Sequence, residues 1–566
     1  MMSRRWGWPL LSVLLLGSGC GGDAGAAGSE AGEGSGGSAA QGGSGAASAG
    51  RGGSQAAAGA GTGEEPSYGR FGEAETTFTL PRPAGDAPAL YHPDLAKDFP
   101  DVDWSTLDRL YVPAGEYKTI LLGNLPERSA QRPLVITNRD GQVRVGGHAA
   151  NYVMSLTGGK NWILTGRYDP DSQTGDAGFR GHAEGAYAHS QGSYGFLIDD
   201  RFSKDGLSGL AIGGKASDFE LDCLEITGAE FAGIIAKTDD DGAALMRNVK
   251  VHDLYVHDVG SEGIYFGSTQ AQPQHAFENL QIYDNRFLRA GTEALQVGQQ
   301  GDGCEVHHNV LGPAAIRWRS AFAKYQDGNV QYGQRYGSGS FHHNIVIGTG
   351  DLFVELFPTA VEGDEHGSAD TIAFTDNYFS DTSSSGVYTH AQENGVTIRF
   401  ERNSFRGFHF DYDEVYPDAK TPVQVFGVGS NTLNPHVLRS NLVDAPFPFI
   451  LYELPSVTHE DNEESEVPPV EFREFMTPEL DANYRRLEWW TDVATLHPEQ
   501  VAVHYAEGAV VAHRGGLYRA LAENTGQPPD QSPGVWDALP PPSDDVRLSA
   551  GSPHQGLGVR WPPAIP

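Results

Sequence analysis

The sequence predicts an all-β chain whose body is a right-handed parallel β-helix solenoid, with a small β module near the C-terminus. Three observations carry that expectation. From about Phe78 the chain reads as short apolar runs broken by Gly, Asn and Asp, with few segments at helical spacing. A six-residue pattern of apolar, two variable, Asn or Asp, variable, apolar then keeps returning, at Val251–Val256, Ile282–Phe287, Val306–Leu311, Phe341–Val346, Phe374–Phe379, Phe400–Phe405 and Leu438–Val443. The fourth place of these copies is Leu254, Asn285, Asn309, Asn344, Asn377, Asn403 and Asn441, six Asn in seven.

An Asn at that place has a physical reason: it tolerates a left-handed corner between two strands, and its amide can bond to the coils above and below. Successive copies start 31, 24, 35, 33, 26 and 38 residues apart. A bare coil needs somewhat more than about twenty residues, so the excess leaves the stack as loops gathered on one flank, the candidate binding surface. Earlier fragments fit the scheme, including Val135–Asn138 followed by Gly141–Val143, and Leu156–Gly166. At 566 residues the chain exceeds an ordinary domain, yet a solenoid reaches that length without a break because each coil meets only its neighbours.

These copies resemble the right-handed parallel β-helix superfamily typified by pectate lyases and related polysaccharide lyases and hydrolases. The resemblance covers roughly Phe78 to Leu454 and implies a polysaccharide partner, while the same fold also serves epimerases and non-catalytic adhesins.

The first residues read as an export signal: Arg4 and Arg5, an apolar run from Leu10 to Leu16, then small residues up to Cys20. Leu16–Cys20 resembles the lipobox of bacterial lipoproteins, with Gly17 where Leu is usual. The resemblance implies lipidation at Cys20 and anchoring at the outer membrane or cell surface, or release outside the cell if the lipobox is not used. Between Gly21 and Ala60, 34 of 40 residues are Gly, Ala or Ser, a flexible tether with an r.m.s. reach of ~35 Å. Cys223 and Cys304 then remain, either as a disulfide or as two buried thiols.

Near the C-terminus, Gly508–Val511, Gly516–Ala520, Asn524–Gly526, Pro528–Pro533 and Val535-Trp536 are similar to chitin-binding type 3 modules. The resemblance places Tyr505, Tyr518 and Trp536 at the module's aromatic positions, where flat rings would stack on sugar; some of them can equally be the core of so small a unit. The expected organisation is residues 1–20 signal, 21–70 tether, 71–460 solenoid, 461–500 connection, 501–541 module and 542–566 closing segment, in a monomer. The module's place before the closing segment also suggests a cap on the open end of the solenoid.

With 39 Lys plus Arg against 74 Asp plus Glu, the formal charge of -35 repels a nucleic-acid backbone and leaves no nucleic-acid partner to expect. Polyuronates meet the same repulsion unless a cation offsets it, so neutral glycans need the fewest assumptions. Against that background the Pro313–Tyr336 insertion stands out, with Arg317, Arg319, Lys324 and Arg335 among Trp318, Tyr325, Tyr332 and Tyr336. Its aromatics and arginines suit sugar binding, and Lys324 or Arg335 could act at a proton beside a uronate. Aligning Gly260–Tyr265 with Gly291–Gln296 puts Glu262 and Glu293 at one place on adjacent coils, about 4.8 Å apart as strands. Such a pair divides general acid from nucleophile in glycoside cleavage, or binds Ca2+, and Asp351 would extend the row. Asp239 and Asp241 offer another place for a hard cation. His252, His257, His307, His308, His342 and His343 occupy variable places of the repeat and lack the linear spacing of a zinc site.

The expected function is a surface-tethered protein that binds and cleaves polysaccharide, as lyase or hydrolase, with a non-catalytic glycan-binding adhesin as the alternative.

Overall fold

The computed structural model describes residues 76–147, 152–166, 194–203, 206–237, 244–267, 275–320, 326, 328–358, 366–390, 395–409, 424–428, 434–445, 456–474, 486–492, 503–542 and 544–560. Cys20, Asp239, Asp241, Lys324 and Tyr325 lie outside the described residues. Residues 64–566 form one compact unit.

Three ladders of parallel strands build the body, a right-handed parallel β-helix. Face 1 stacks, among others, Ser217–Asp222, Lys250–His252, Gln281–Tyr283, Cys304–His307, Gly339–His342, Thr371–Thr375, Thr397–Glu401, His436–Arg439 and Val457–Glu460. Face 2 stacks Leu224–Thr227, Tyr255–Val259, Arg286–Ala290, Val310–Leu311, Ile345–Thr349, Tyr378–Thr382, Ser404–Phe408, Leu442–Val443 and Glu463–Glu464. Face 3 stacks Ile234–Ala236, Ile264–Phe266, Leu295–Gln300, Val330–Gln334, Val354–Phe357, Val387–Thr389 and Phe426–Val428.

The repeat explains the register. The first apolar place of each hexad points inward from face 1 and the sixth inward from face 2, so like residues stack through the core. Phe374 lies on Phe400 at 4.7 Å between ring centroids, and Phe379 on Phe405 at 4.8 Å. Between them runs an unbroken column of buried amides. Each Asn Nδ2 donates to the Oδ1 of the next Asn, from Asn285 through Asn309, Asn344, Asn377, Asn403 and Asn441 to Asn462, at 2.9 to 3.1 Å. The same Oδ1 accepts the backbone N–H of the preceding coil, and Nδ2 also donates to a backbone carbonyl of the preceding coil's face 1 strand, as Asn344 does to Val306 at 3.0 Å.

Two details differ from the sequence reading. The left-handed residue is the one before the Asn, as in Asp284, His308, His343, Asp376, Arg402 and Ser440, with φ between 54° and 57°. The Asn is thus selected for its amide, and the corner falls on its neighbour. An eighth copy, His459–Glu464, ends the stack; it lacks the apolar end places that mark the others. The solenoid therefore extends past residue 460.

The column confines the face 1 to face 2 corner to two residues in every coil from Lys250 onward. Long connections leave only at the two corners that bound face 3: 312–329 and 409–425 before it, 358–370 after it. A long connection at the other corner, 166–195, occurs earlier, where no Asn column runs. The Pro313–Tyr336 insertion is shorter than expected, because Val330–Gln334 is a face 3 strand.

The outer side of face 2 is covered by the C-terminal chain. Leu288, Val310, Ile345, Ile347 and Tyr378 pack with Val467, Val470, Val546 and Val559. Asp545–Leu548 pairs antiparallel with Phe472–Glu474, and Arg560 holds Asp284 at 2.8 Å. A second sheet joins Val510–His513, Gly516–Ala520 and Trp536–Ala538 in antiparallel order, with Glu488–Trp489 alongside. Its tight hairpin needs positive φ at Arg514 and Gly515. This sheet docks on the flank of the solenoid: the Trp489 N–H donates to the Ile316 carbonyl at 2.7 Å, and Arg514 donates to the Phe202 carbonyl at 2.6 Å. It does not cap the last coil, whose Thr458–Asp461, Glu463 and Glu464 are largely exposed. Cys223 and Cys304 are buried free thiols.

If the amide column holds the corner, Asn344→Ala, which strands buried partners on both neighbouring coils, lowers unfolding free energy by about 3 kcal/mol, whereas Asn462→Ala at the column's end costs under about 1 kcal/mol. Urea unfolding of the two variants checks the contrast.

Candidate functional site

Face 3 is the face that the long connections flank, and its outward side chains stand in one row. Alternation turns Ile264, Leu295, Val330, Val354 and Val387 into the core and Tyr265, Gln296, Gln331, Glu355 and Tyr388 to the other side, each in register with the next; of these Gln296 and Gln331 are buried, and Tyr265, Glu355 and Tyr388 are half-buried. At the centre, Glu355 accepts hydrogen bonds from Gln331 Nε2 at 3.1 Å and His390 Nε2 at 2.8 Å. The His390 ring is fixed by stacking on Phe357 at 4.1 Å and by an edge contact with Tyr388 at 5.0 Å.

Glu262 and Glu293 enter this face at its leading corner. Parallel pairing continues back from Ile264 and Leu295: the Gly263 N–H donates to the Glu293 carbonyl, and Ser261 Oγ lies 3.2 Å from Thr292 Oγ1. The two glutamates thus occupy one register place on adjacent coils, each with 1% of its surface exposed. Burial, and then the charge of Glu262 beside it, push the Glu293 carboxyl well above the usual range; burial raises Glu262 as well. Both causes favour the protonated form of Glu293.

Asp351 does not continue that row. Two coils on from Glu293, Asn329 N–H donates to the Leu352 carbonyl, so Leu352 holds the glutamate place and Asp351 sits one residue earlier. Its carbonyl accepts from Thr382.

The basic, aromatic insertion divides. Arg317 pairs with Glu230 at 3.0 Å, and Arg319 forms a two-pronged pair with Glu488 at 2.8 and 3.0 Å while lying over the Trp318 ring. Trp318 is buried beneath the docked sheet, where Gly350 admits its ring: a Cβ there would meet Trp318 at 2.6 Å. Arg335 is buried too. Tyr332 points inward from face 3, fully buried against Phe374, and so is a core residue instead of a sugar contact. In the C-terminal sheet Tyr505 and Trp536 are core as well, meeting edge to face at 5.4 Å; the Trp536 indole donates to the Gln527 carbonyl at 2.8 Å. Tyr518 remains half-buried. Of the two roles the sequence left open for these rings, Tyr505 and Trp536 take the core and are not placed as sugar contacts, because a unit this small uses its largest side chains to make an interior.

Two further groups were not assembled from the sequence: one joins coils to the distant tail, and the other uses histidines that the repeat marks but whose stacking depends on side-chain direction. In the first, a cleft of about 580 Å³ between face 2 and the tail is lined by Tyr255, His257, Asp258, Arg289, Arg514 and Asp544. Arg289 bridges Asp258, at 2.8 and 2.9 Å, and Asp544, at 2.7 and 2.6 Å; Asp544 also accepts from the Tyr255 hydroxyl. Burial disfavours charge on His257, but Asp258 and Glu225 outweigh it and raise its pKa to about 9. This lattice clamps the tail to the solenoid. In the second, His307 stacks on Tyr283 at 5.1 Å and on His342 at 4.9 Å, and His308 stacks on His343 at 4.9 Å. Burial, then neighbouring positive charge, lowers His307 to about 3, His308 to about 2 and His342 to about 4.

No protein-family model matches the chain, and no curated protein matches it. Among solved structures it is similar to an alginate lyase from Paenibacillus sp. str. FPU-7, at 13% identity over 67% of this chain and 98% of that one, with a TM-score of 0.35. It is also similar to the lacto-N-biosidase from Eubacterium ramulus, at 12% identity over 63% and 61% with a TM-score of 0.34, and to pectate lyase Pel9A, at 9% over 67% and 80% with a TM-score of 0.30. Likeness of this degree decides nothing about reaction or substrate; the three parallel ladders themselves define a β-helix protein.

Lowered histidine pKa values mean that the folded state binds fewer protons than the unfolded one below pH 6.5. Their stabilising contribution is present above that pH and is lost as pH falls toward 4. A His307→Gln/His342→Gln variant should therefore lose less melting temperature between pH 6.5 and 4 than the parent, measured by circular dichroism.

Proposed function

We propose that the chain binds a polysaccharide along the outer side of face 3 and cleaves it by hydrolysis. The observation that carries this reading is the Glu355 carboxylate held by Gln331 and His390, in one row with two tyrosines and on the same face as the buried Glu262 and Glu293 carboxyls. Tyr265 and Tyr388 offer flat faces for pyranose rings. Glycoside hydrolysis needs one carboxyl that gives a proton and one that acts as base or nucleophile. Glu293 has the environment for the first role and Glu355 the placement for the second.

Hydrolysis is favoured over elimination by the charges in the row. Elimination beside a uronate requires a cation or metal to neutralise its carboxylate. Among the described residues the five side chains of the row include no Lys or Arg, and Arg317 and Arg319 are paired with Glu230 and Glu488. Together with the formal charge of -35, this points to neutral glycans. Tethering through a lipid on Cys20 remains part of the proposal and rests on the lipobox-like Leu16–Cys20.

A panel of neutral and acidic polysaccharides, assayed for new reducing ends and for near-ultraviolet absorbance, tests the reaction. Reducing ends from a neutral glycan are expected, with Glu355→Gln and Glu293→Gln each lowering kcat at least about 100-fold while the fold is retained. Unsaturated product would establish a lyase, and binding without cleavage an adhesin; either overturns hydrolysis. Separately, Cys20→Ala should move the protein from the membrane fraction to the medium in a bacterial host, and unchanged fractionation would dismiss the anchor.

A further inference from the structure

Face 1 carries a cluster of potential ligands that the hydrolytic reading does not use. In the strand Ser217–Asp222, Glu220 and Asp222 are two residues apart and therefore project from the same side. Parallel register sets His252, on the next coil, directly beside Asp222. The three side chains bring one carboxylate oxygen each and an imidazole nitrogen within 4.8 Å of one another, and all three are buried.

The orientation of His252 is itself fixed. Its Nδ1 lies 2.5 Å from Asp253 Oδ2, and its Nε2 faces Glu220 Oε1 at 3.2 Å. The ring is held flat on Tyr283 at 4.6 Å. A carboxylate that engages one ring nitrogen while the other turns toward two carboxylates is the outer-shell arrangement typical of a metal-binding histidine.

We propose that Glu220, Asp222 and His252 form a binding site for one Zn2+ ion. An imidazole with two carboxylates suits zinc over calcium or magnesium, which prefer oxygen donors alone. Zinc–oxygen and zinc–nitrogen bonds of about 2.0–2.2 Å require donors roughly 3.4 Å apart; His252 Nε2 and Glu220 Oε1 already lie at 3.2 Å, and all three donors lie within 4.8 Å. The ion takes the place of the Nε2 proton. Bound there, it would also stiffen the stack, tying the Ser217–Asp222 coil to the Lys250–His252 coil just below the point where the Asn column begins, a junction that lacks the column's amide bonds.

Untagged, chelator-stripped full-length protein titrated with zinc chloride in competition with a chromophoric chelator tests the proposal. One equivalent is expected to bind at micromolar affinity or tighter and to raise the melting temperature. Asp222→Asn and His252→Gln should each weaken it at least about 30-fold, and Asp253→Asn by about 10- to 100-fold. His307→Gln/His342→Gln should leave it unchanged, which separates this site from the exposed edge of the histidine stack. No bound zinc in the parent protein, calcium bound in preference, or an unchanged equivalent in His252→Gln would each overturn the assignment. The parent titration decides the matter even if a variant fails to fold, and none of these readings depends on glycan cleavage.

Discussion

The column of buried amides from Asn285 to Asn462 is the constraint on which the rest of the structure depends. Each Asn saturates its amide within the stack, so removing one leaves donors and acceptors of two other coils unpaired in the interior. That confines the face 1 to face 2 corner to two residues and forbids insertion there. In the coils that carry the column, variation in length is pushed to the two corners around face 3, which long connections border on both sides there. The position of the candidate site follows from hydrogen bonding on the opposite edge of the coil.

The three faces then divide the work. Face 2 is covered by the C-terminal chain, through an apolar patch around Ile345 and Tyr378 and the Arg289 lattice with Asp258 and Asp544. Face 1 carries stacked rings and the Glu220, Asp222 and His252 cluster. Face 3 keeps a polar row with aromatic ends. Burial pushes two titratable groups in opposite senses: it favours the uncharged form of Glu293, whereas at His257 two carboxylates outweigh it and favour the charged form.

The fold was legible because a solenoid writes its contacts into a linear period. The hexads gave register, core and Asn column directly, and the same period placed Glu262 beside Glu293. The site was less legible where side-chain direction matters. Tyr332 and Trp536 look like sugar-binding aromatics by type, but strand alternation and the small size of the C-terminal sheet turn them inward. Arg317 and Arg319 look free in an acidic chain, yet their partners, Glu230 and Glu488, lie 87 and 169 residues away. Glu355 and His390 escape a sequence reading for the opposite reason: neither sits in an unusual local composition, and only pairing of Val354–Phe357 with Val387–Thr389 brings them together.

A crystal structure of Glu355→Gln soaked with an oligosaccharide released from an active substrate bears most directly on the account. The sugar chain is expected on the outer side of face 3, crossing Gln331 and residue 355 between Tyr265 and Tyr388. Sugar density confined to face 1, or to the C-terminal sheet around Tyr518, would contradict it.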